Sequence, residues 1–346
     1  MTTVPTHAMK AVRTDRELEC PGIDAGLRAR GVDLVTLPDG IGEEALAAEV
    51  VDADLLLMCY TPVTARVIAA AKQLRGIVKY GVGIDAINIP AAMACGIPVV
   101  NVPEYAEETV AEGAFALLIA LAKRLPEIGG RMQRDGWLWP ELRWLGRDMS
   151  GATLGIVGCG RIGRSMARMA GAGFRARVLG FDPNVDAATM AAHGIEKVEA
   201  LPELLGASDF VSLHAALGDG SHHLIGRDEL ACLKPDAILI NTARGALIDE
   251  TALVEAVLAG RIGGLGLDVF GAEPLARSGH PLSPLYGRDN VLLLPHLTFF
   301  THEAMHRLEE DTLARCFEVL EGRPVTVRAT DPRLRAQTRG VVFPTR

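Results

Sequence analysis

The chain alternates short apolar runs with stretches of helical periodicity along most of its length. Apolar runs of four to six residues, bounded by turn residues, are typical of strands buried on both faces of a parallel sheet. Such runs occupy residues 8–12, 33–37, 54–58, 76–80 and 97–101, and again 153–157, 176–181, 209–213, 237–240, 262–267 and 291–294. The pattern predicts an α/β protein with two doubly wound, mostly parallel sheets.

Two longer segments have helical patterns that bear on the domain arrangement. Residues 109–125 are apolar on nearly every side and begin with a possible capping box, Thr109 with Glu112. We expect this helix to be buried between domains or subunits. A second helix, about residues 303–320, is expected to return the chain to the first domain, and residues from 323 onward are expected to form a surface tail.

Composition narrows the class of protein. A chain of 346 residues usually folds as two domains, and 49% hydrophobic with 23% charged residues is ordinary for a globular protein. The net charge of −8 argues against nucleic acid or an anionic membrane as partner. Residues 1–10 have no apolar stretch of a signal peptide, and the longest apolar run, 113–122, is too short to span a bilayer, so we expect a cytoplasmic protein. Six dispersed cysteines without a C-x-x-C pair indicate neither disulfides nor a thiolate metal site.

The run TLGIVGCGRIG at 153–163 carries the strongest chemical motif. Its Gly158, Gly160 and Gly163 have the G-x-G-x-x-G spacing that follows a strand and lets backbone N–H groups approach a pyrophosphate. A helix opening at about Arg161 would direct its positive end at the phosphates. Asp182 follows the next strand and can accept hydrogen bonds from the adenosine ribose; its carboxylate would repel the extra phosphate of NADP. The motif predicts an NAD site.

Other polar residues follow the later strands, at the sheet edge where α/β proteins bind ligands. Arg244 could hold a substrate carboxylate with two parallel hydrogen bonds. His296 could transfer a proton, and Glu273 beside it would stabilise the protonated ring. His214 and Asp268 end two more strands.

One rival motif indicates a different chemistry. His302, Glu303 and His306 spell H-E-x-x-H, which on a helix can bind zinc and supply a general base. No third ligand follows at a recognisable spacing, and an amphipathic helix with a solvated face explains the same residues. We therefore predict no metal and keep a zinc hydrolase as a third hypothesis.

From residue 54 to 320 the chain resembles the D-isomer-specific 2-hydroxyacid dehydrogenases. The resemblance rests on KYGVGIDAIN at 79–88, TVAE at 109–112, LGIVGCGRIGR at 154–164, SDFVSLH at 208–214, LKPDAILINTARGALIDE at 233–250, LDVFGAEP at 267–274 and PH at 295–296. It implies a Rossmann NAD-binding domain, 103–297, inserted in a flavodoxin-like substrate domain, 1–102 plus 298–346.

The resemblance also implies roles for individual residues. Arg244, Glu273 and His296 would be catalytic, and the backbone of Val82 and Gly83 would bind the substrate carboxylate. Phe299 would line the substrate site. The cofactor would contact Gly158, Gly160, Arg161, Ile162, Gly163, Asp182, His214, Thr109, Thr242, Ala243 and Asp268.

These implications define the expected function. We expect an NAD-dependent 2-hydroxyacid dehydrogenase, of the glyoxylate/hydroxypyruvate reductase type, acting as a homodimer through the helix at 113–122. A loop with Trp137, Trp139 and Trp144 either reaches the neighbouring subunit or packs in its own. The alternatives are an enzyme like D-3-phosphoglycerate dehydrogenase, disfavoured by the Phe299–Phe300 pair after His296, and an NAD(H)-sensing corepressor-like interaction protein.

Overall fold

The computed structural model describes residues 8–218 and 220–344, which form two compact units. Unit 1 comprises the chain up to Ala106 and from Thr301 onward, and unit 2 comprises Glu107–Phe300. Both changes of unit come a few residues later than the expected boundaries at 102/103 and 297/298. The second shift has a local cause, because Thr298 is bonded to Asp268 of unit 2.

The first part of unit 1 alternates strands and helices. Its elements are β1 (Lys10–Arg13), α1 (Pro21–Ala29), β2 (Asp33–Thr36), α2 (Glu43–Glu49), β3 (Leu55–Met58), α3 (Ala65–Ala70), β4 (Gly76–Lys79), α4 (Ile89–Ala94) and β5 (Val99–Asn101). The strands are parallel in the order β2-β1-β3-β4-β5, which is the flavodoxin-like order. Each expected apolar run overlaps one of these strands.

Unit 2 begins with two helices and continues as a longer parallel sheet. Its elements are α5 (Glu107–Ala122), α6 (Leu125–Asp135), β6 (Thr153–Val157), α7 (Arg161–Arg168), β7 (Arg177–Phe181), α8 (Ala187–Ala192), β8 (Glu196–Lys197), α9 (Leu201–Ala207), β9 (Phe210–Leu213), α10 (Arg227–Cys232), β10 (Ile238–Asn241), α11 (Glu250–Leu258), β11 (Gly264–Leu267) and β12 (Val291–Leu293). The strand order is β12-β11-β10-β9-β6-β7-β8. This doubly wound sheet confirms the expected fold class.

Apolar side chains cover both faces of this sheet, which explains why its strands read as continuous apolar runs. Alternate residues of β10 point to opposite faces: Ile238 and Ile240 join one core with α5 and α7, while Leu239 joins another with α9 and α11. The polar residues that follow the strands lie outside these two cores, at the carboxyl edge of the sheet.

Helix α5 corrects one detail of the sequence prediction. It begins at Glu107, so Thr109 lies inside the first turn and the expected capping box with Glu112 is wrong. Glu107 and Glu108 supply negative charge at the helix N-terminus, where the helix dipole favours it.

The end of the chain adds α12 (His302–Leu320), β13 (Val325–Thr326), α13 (Pro332–Arg335) and β14 (Val341–Val342) to unit 1. The expectation of a mere surface tail is wrong, because Val327 and Leu334 are buried and β13 pairs with β14. Gln337 bonds through its side-chain amide to both the N–H and the carbonyl of Val99, at 2.7 and 2.9 Å, and so occupies the edge of β5. Among the described residues, no helix is long and apolar enough to cross a membrane.

Candidate active site

The glycine turn after β6 has the shape that a dinucleotide needs. Gly158 has φ +94°, and a Cβ there would lie 2.5 Å from the Ala215 nitrogen; a Cβ on Gly163 would lie 2.2 Å from the Gly158 oxygen. A Cβ on Gly160 would meet nothing within 4 Å. Two glycines are therefore required by packing, while the middle one faces open space, where a pyrophosphate can approach the backbone.

Asp182 supports this turn directly. One of its carboxylate oxygens accepts the N–H of Cys159 at 2.9 Å, and the other accepts the N–H of Asn184 at 2.9 Å. Each oxygen keeps a further lone pair with which it can accept a ribose hydroxyl. Arg161, the first residue of α7, is exposed and pairs with Glu107 at 2.7 Å, and Ile162 is half-buried.

His214 follows β9 beside the glycine turn. Its Nε2 lies 2.9 Å from the Ser212 hydroxyl, and its own N–H donates to the Val157 carbonyl at 2.7 Å. Burial lowers the pKa of the His214 ring to about 4, so the ring is neutral at physiological pH. A neutral imidazole at this position can pack against a cofactor without adding charge.

The loop after β10 positions Arg244. The side chain of Asn241 holds this loop through two hydrogen bonds. Its amide NH₂ donates to the Arg244 carbonyl at 2.8 Å, and its amide oxygen accepts from the Ala243 N–H at 3.0 Å. The adjacent Thr242 is 7% exposed, and its hydroxyl oxygen is buried without a hydrogen-bond partner among the described residues. A buried, unpaired hydroxyl fits a polar group of a bound ligand.

Glu273 and His296 are in direct contact, as the sequence predicted. Glu273 Oε2 lies 2.8 Å from His296 Nδ1, and Glu273 Oε1 accepts the N–H of Phe270 at 2.9 Å. About a third of each side chain is exposed, 30% and 31%. Burial raises the pKa of Glu273. The His296 contact, the Phe270 N–H and the positive charge of Arg244 together lower this pKa by more than burial raises it, so the net shift is downward. The structure thus brings Arg244, Glu273 and His296 into one electrostatic site.

Asp268 has a role that sequence reasoning missed. It is fully buried, and its carboxylate accepts the N–H groups of Leu297 and Thr298 at 2.8 and 2.9 Å and the Thr298 hydroxyl at 2.6 Å. It therefore holds the turn directly after His296, while its predicted contact with the cofactor stays a prediction. The only sequence signal for this role is an aspartate directly after a buried strand, together with Thr298 two residues after His296.

The remaining predicted residues lie in separate places. Phe299 is 6% exposed and meets the His296 ring edge-on, with centroids 6.3 Å apart. Thr109 is buried in α5 of unit 2. Val82 and Gly83 follow β4 in unit 1, where Asn101 donates to the Val82 carbonyl at 2.6 Å; their contact with substrate stays a prediction.

The H-E-x-x-H motif lies at the start of α12. His306 is exposed, and its Nε2 is 3.4 Å from Glu310 of the same helix. Across residues 8–218 and 220–344, no group of three or more His, Cys, Asp or Glu side chains could hold a metal ion.

Comparisons with known proteins show the family to which the chain belongs. The family model described as "D-isomer specific 2-hydroxyacid dehydrogenase, NAD binding domain" matches residues 115–298. The chain is 41% identical to a glyoxylate reductase from Korarchaeum cryptofilum over 271 residues, which are 78% of this chain and 80% of that protein. It is 37% identical to a D-3-phosphoglycerate dehydrogenase from Methanocaldococcus jannaschii over 83% of this chain, but covers only 54% of that longer protein.

A solved structure is similar along nearly the whole chain. The D-lactate dehydrogenase from Aquifex aeolicus, crystallised with NAD and lactic acid, superposes with a TM-score of 0.80 at 29% identity and covers 90% of this chain and 96% of its own.

Proposed function

Because the chain belongs to the D-isomer specific 2-hydroxyacid dehydrogenase family, we propose that Arg244, Glu273 and His296 are its catalytic residues. The protein is an NAD-dependent oxidoreductase that interconverts 2-hydroxy acids and 2-keto acids. The observation that carries the residue assignment is the 2.8 Å contact between Glu273 and His296 within reach of the Arg244 charge.

The cofactor and the three residues have different roles in the proposed reaction. When bound, the reduced cofactor NADH would supply the hydride for reduction of the keto acid, and NAD⁺ would accept the hydride in the reverse direction. Arg244 binds the substrate carboxylate with its planar guanidinium and orients the carbonyl. His296 donates a proton to the carbonyl oxygen through Nε2, because Nδ1 faces Glu273. Glu273 fixes the tautomer of the ring and stabilises its protonated form.

The substrate that we favour is a small, unphosphorylated 2-keto acid such as glyoxylate or hydroxypyruvate. Phe299 lies edge-on to the proposed proton donor, and the next residue, Phe300, is 47% exposed. Two apolar rings offer no hydrogen bond to a phosphate group, although an enzyme like D-3-phosphoglycerate dehydrogenase remains the second candidate because of the relatives of that name.

We also propose a homodimer. In α5, the helix that we expected at the interface, Leu117, Leu118 and Leu121 are buried inside unit 2, while Phe115 and Ile119 are only partly buried. A group of exposed apolar side chains of unit 2 also lies on α6 and the segment after it: Leu125, Met132, Trp137, Trp139, Leu142 and Leu145. A second copy would cover this surface. A cytoplasmic location stays a prediction.

The proposal is tested by following NADH absorbance with glyoxylate, hydroxypyruvate, pyruvate and 3-phosphohydroxypyruvate. His296→Gln should lower kcat by roughly 10² to 10⁴ while NADH binding, measured by fluorescence titration, is kept. His306→Gln is the matched control, since that ring is exposed on α12. A fully active His296→Gln enzyme would exclude His296 as the proton donor, and the highest kcat/KM on 3-phosphohydroxypyruvate would favour the second candidate. Slow turnover on every keto acid, with NADH-dependent self-association, would favour the corepressor-like alternative.

A further inference from the structure

Glu250 is a nearly buried carboxylate next to the catalytic residues, and the mechanism above does not use it. It is the first residue of α11, with 15% of its side chain exposed. The helix does not need it as a cap, because Asp249 already accepts the N–H groups of Thr251 and Ala252 at 3.0 and 3.1 Å. A carboxylate buried to this degree is expected to have specific partners.

Its closest partner belongs to the turn that carries Glu273. Glu250 Oε1 accepts the N–H of Gly271 at 2.7 Å, and the preceding N–H, that of Phe270, donates to Glu273. Two consecutive backbone N–H groups therefore bind two carboxylates, one from α11 and one from the catalytic pair. If Gly271 were released, the turn that sets the position of Glu273 would lose its hydrogen bond to α11.

The same peptide also touches the turn that carries Arg244. A Cβ on Gly245 would lie 1.9 Å from the carbonyl carbon of Phe270 and 2.3 Å from the nitrogen of Gly271. The backbone after Arg244 is thus in direct contact with the peptide that Glu250 holds. Both catalytic turns depend on where this one peptide lies.

A histidine lies on the other side of Glu250. His280 is 9% exposed, and its Nε2 lies 3.6 Å from Glu250 Oε2. The His280 Nδ1 accepts the N–H of Leu282 at 3.1 Å, so Nδ1 carries no proton and the proton of the neutral ring is on Nε2, facing the carboxylate. Leu282 is fully buried in the core of unit 2, which anchors this histidine.

From this geometry we propose that Glu250 is a positioning residue for the reaction: it holds the Phe270–Gly271 peptide, and thereby sets Glu273 and His296 relative to Arg244. The inference rests on the proposed function, because it takes the Glu273–His296 pair as the proton-transfer pair. Glu250 acts through Glu273 and is not expected to touch substrate or cofactor.

The proposal predicts a specific kinetic pattern. Glu250→Ala should lower kcat about tenfold with little change in the KM for NADH, because small displacements of catalytic groups cost rate. Glu250→Gln keeps an oxygen that can accept the Gly271 N–H and should restore most of the rate. Glu255→Ala is the matched control, since Glu255 is on the same helix, is exposed and pairs with Arg227.

A double-mutant cycle separates positioning from general damage. If Glu250 acts through Glu273, Glu250→Ala should have almost no further effect on kcat in a Glu273→Gln background. Full activity of Glu250→Ala, or an undiminished loss in that background, would overturn the proposal. His296→Gln is assayed alongside: if it is inactive while Glu250→Ala is unaffected, only the positioning inference fails.

A second measurement does not depend on activity. Amide hydrogen exchange of a peptide spanning residues 268–275 should be slow in the wild-type protein, faster in Glu250→Ala and near wild type in Glu250→Gln. Equal exchange in all three proteins would show that Glu250 does not hold this turn, even if no keto acid is turned over or if Glu250→Ala is poorly stable.

Discussion

Replacing Glu273 by Gln removes one negative charge from the proposed proton donor and keeps the size of the side chain. In the proposed mechanism, reduction of the keto acid requires a protonated His296, and the Glu273 carboxylate at 2.8 Å would stabilise that form. The substitution should therefore move the pH at which reductive kcat/KM is half-maximal to a lower value. The same attraction between Glu273 and His296 also lowers the pKa of Glu273, together with the charge of Arg244.

The magnitude follows from the exposure of the pair. Two unit charges about 4 Å apart interact by ~4 kcal/mol at an effective dielectric constant of ~20 and by ~1 kcal/mol in water. With 30% and 31% of the two side chains exposed, the coupling lies between these limits. Since ~1.4 kcal/mol corresponds to one pH unit, we expect the midpoint to fall by about one to two units.

The assay is a pH profile of kcat/KM in both directions, from pH 5 to pH 9.5. At pH values above both midpoints, reduction should be about 10 to 100 times slower in Glu273→Gln and should recover toward acid pH, whereas oxidation, which needs a neutral ring, should lose less. Glu255→Gln should leave the profile unchanged. A uniform loss at every pH, with the midpoint in place, would refute the electrostatic reasoning and leave Glu273 a purely steric role.

Two further predictions follow from single residues. Arg244→Lys should raise the KM for the keto acid and lower kcat, each about tenfold or more, with NADH binding unchanged, because an ammonium cannot form two parallel bonds to a carboxylate; unchanged kinetics would place the carboxylate elsewhere. His214 has a folded-state pKa of about 4, below its ordinary 6.5, so the wild-type protein loses stability as pH falls from 6.5 toward 4. His214→Gln should therefore show a smaller drop in Tm between pH 7 and pH 4.5, measured by calorimetry, and an equal drop would contradict the lowered pKa of the His214 ring.

Much of this architecture could be predicted from the sequence because parallel strands buried on both faces leave an unambiguous apolar pattern. The ends of the strands could be predicted for the same reason, and the structure shows that each of three predicted site residues directly follows a strand: Asp182, His214 and Asp268. The features that the sequence did not predict depend on contacts between residues far apart in the chain. Gln337 bonds to the edge strand β5 across 238 positions of the chain. No local pattern identifies a side-chain amide that will satisfy the hydrogen bonds of an edge strand. Helix α5 was misplaced at its start because two glutamates, which favour a helix N-terminus, precede the threonine that resembled a cap.

The backbone of His296 explains why a buried aspartate lies beneath the site. His296 has φ +59°, in the left-handed region, which costs a residue with a Cβ about 1 kcal/mol or more. Asp268 offsets this strain with three hydrogen bonds to the two residues that follow, and bonds to a carboxylate are among the stronger ones. A turn held in this way fixes the direction in which the imidazole leaves the chain, so that Nδ1 meets Glu273 and Nε2 is the nitrogen that we propose donates to the substrate oxygen. The carboxylate for which the sequence predicts a cofactor contact thus holds the turn that follows the proposed proton donor.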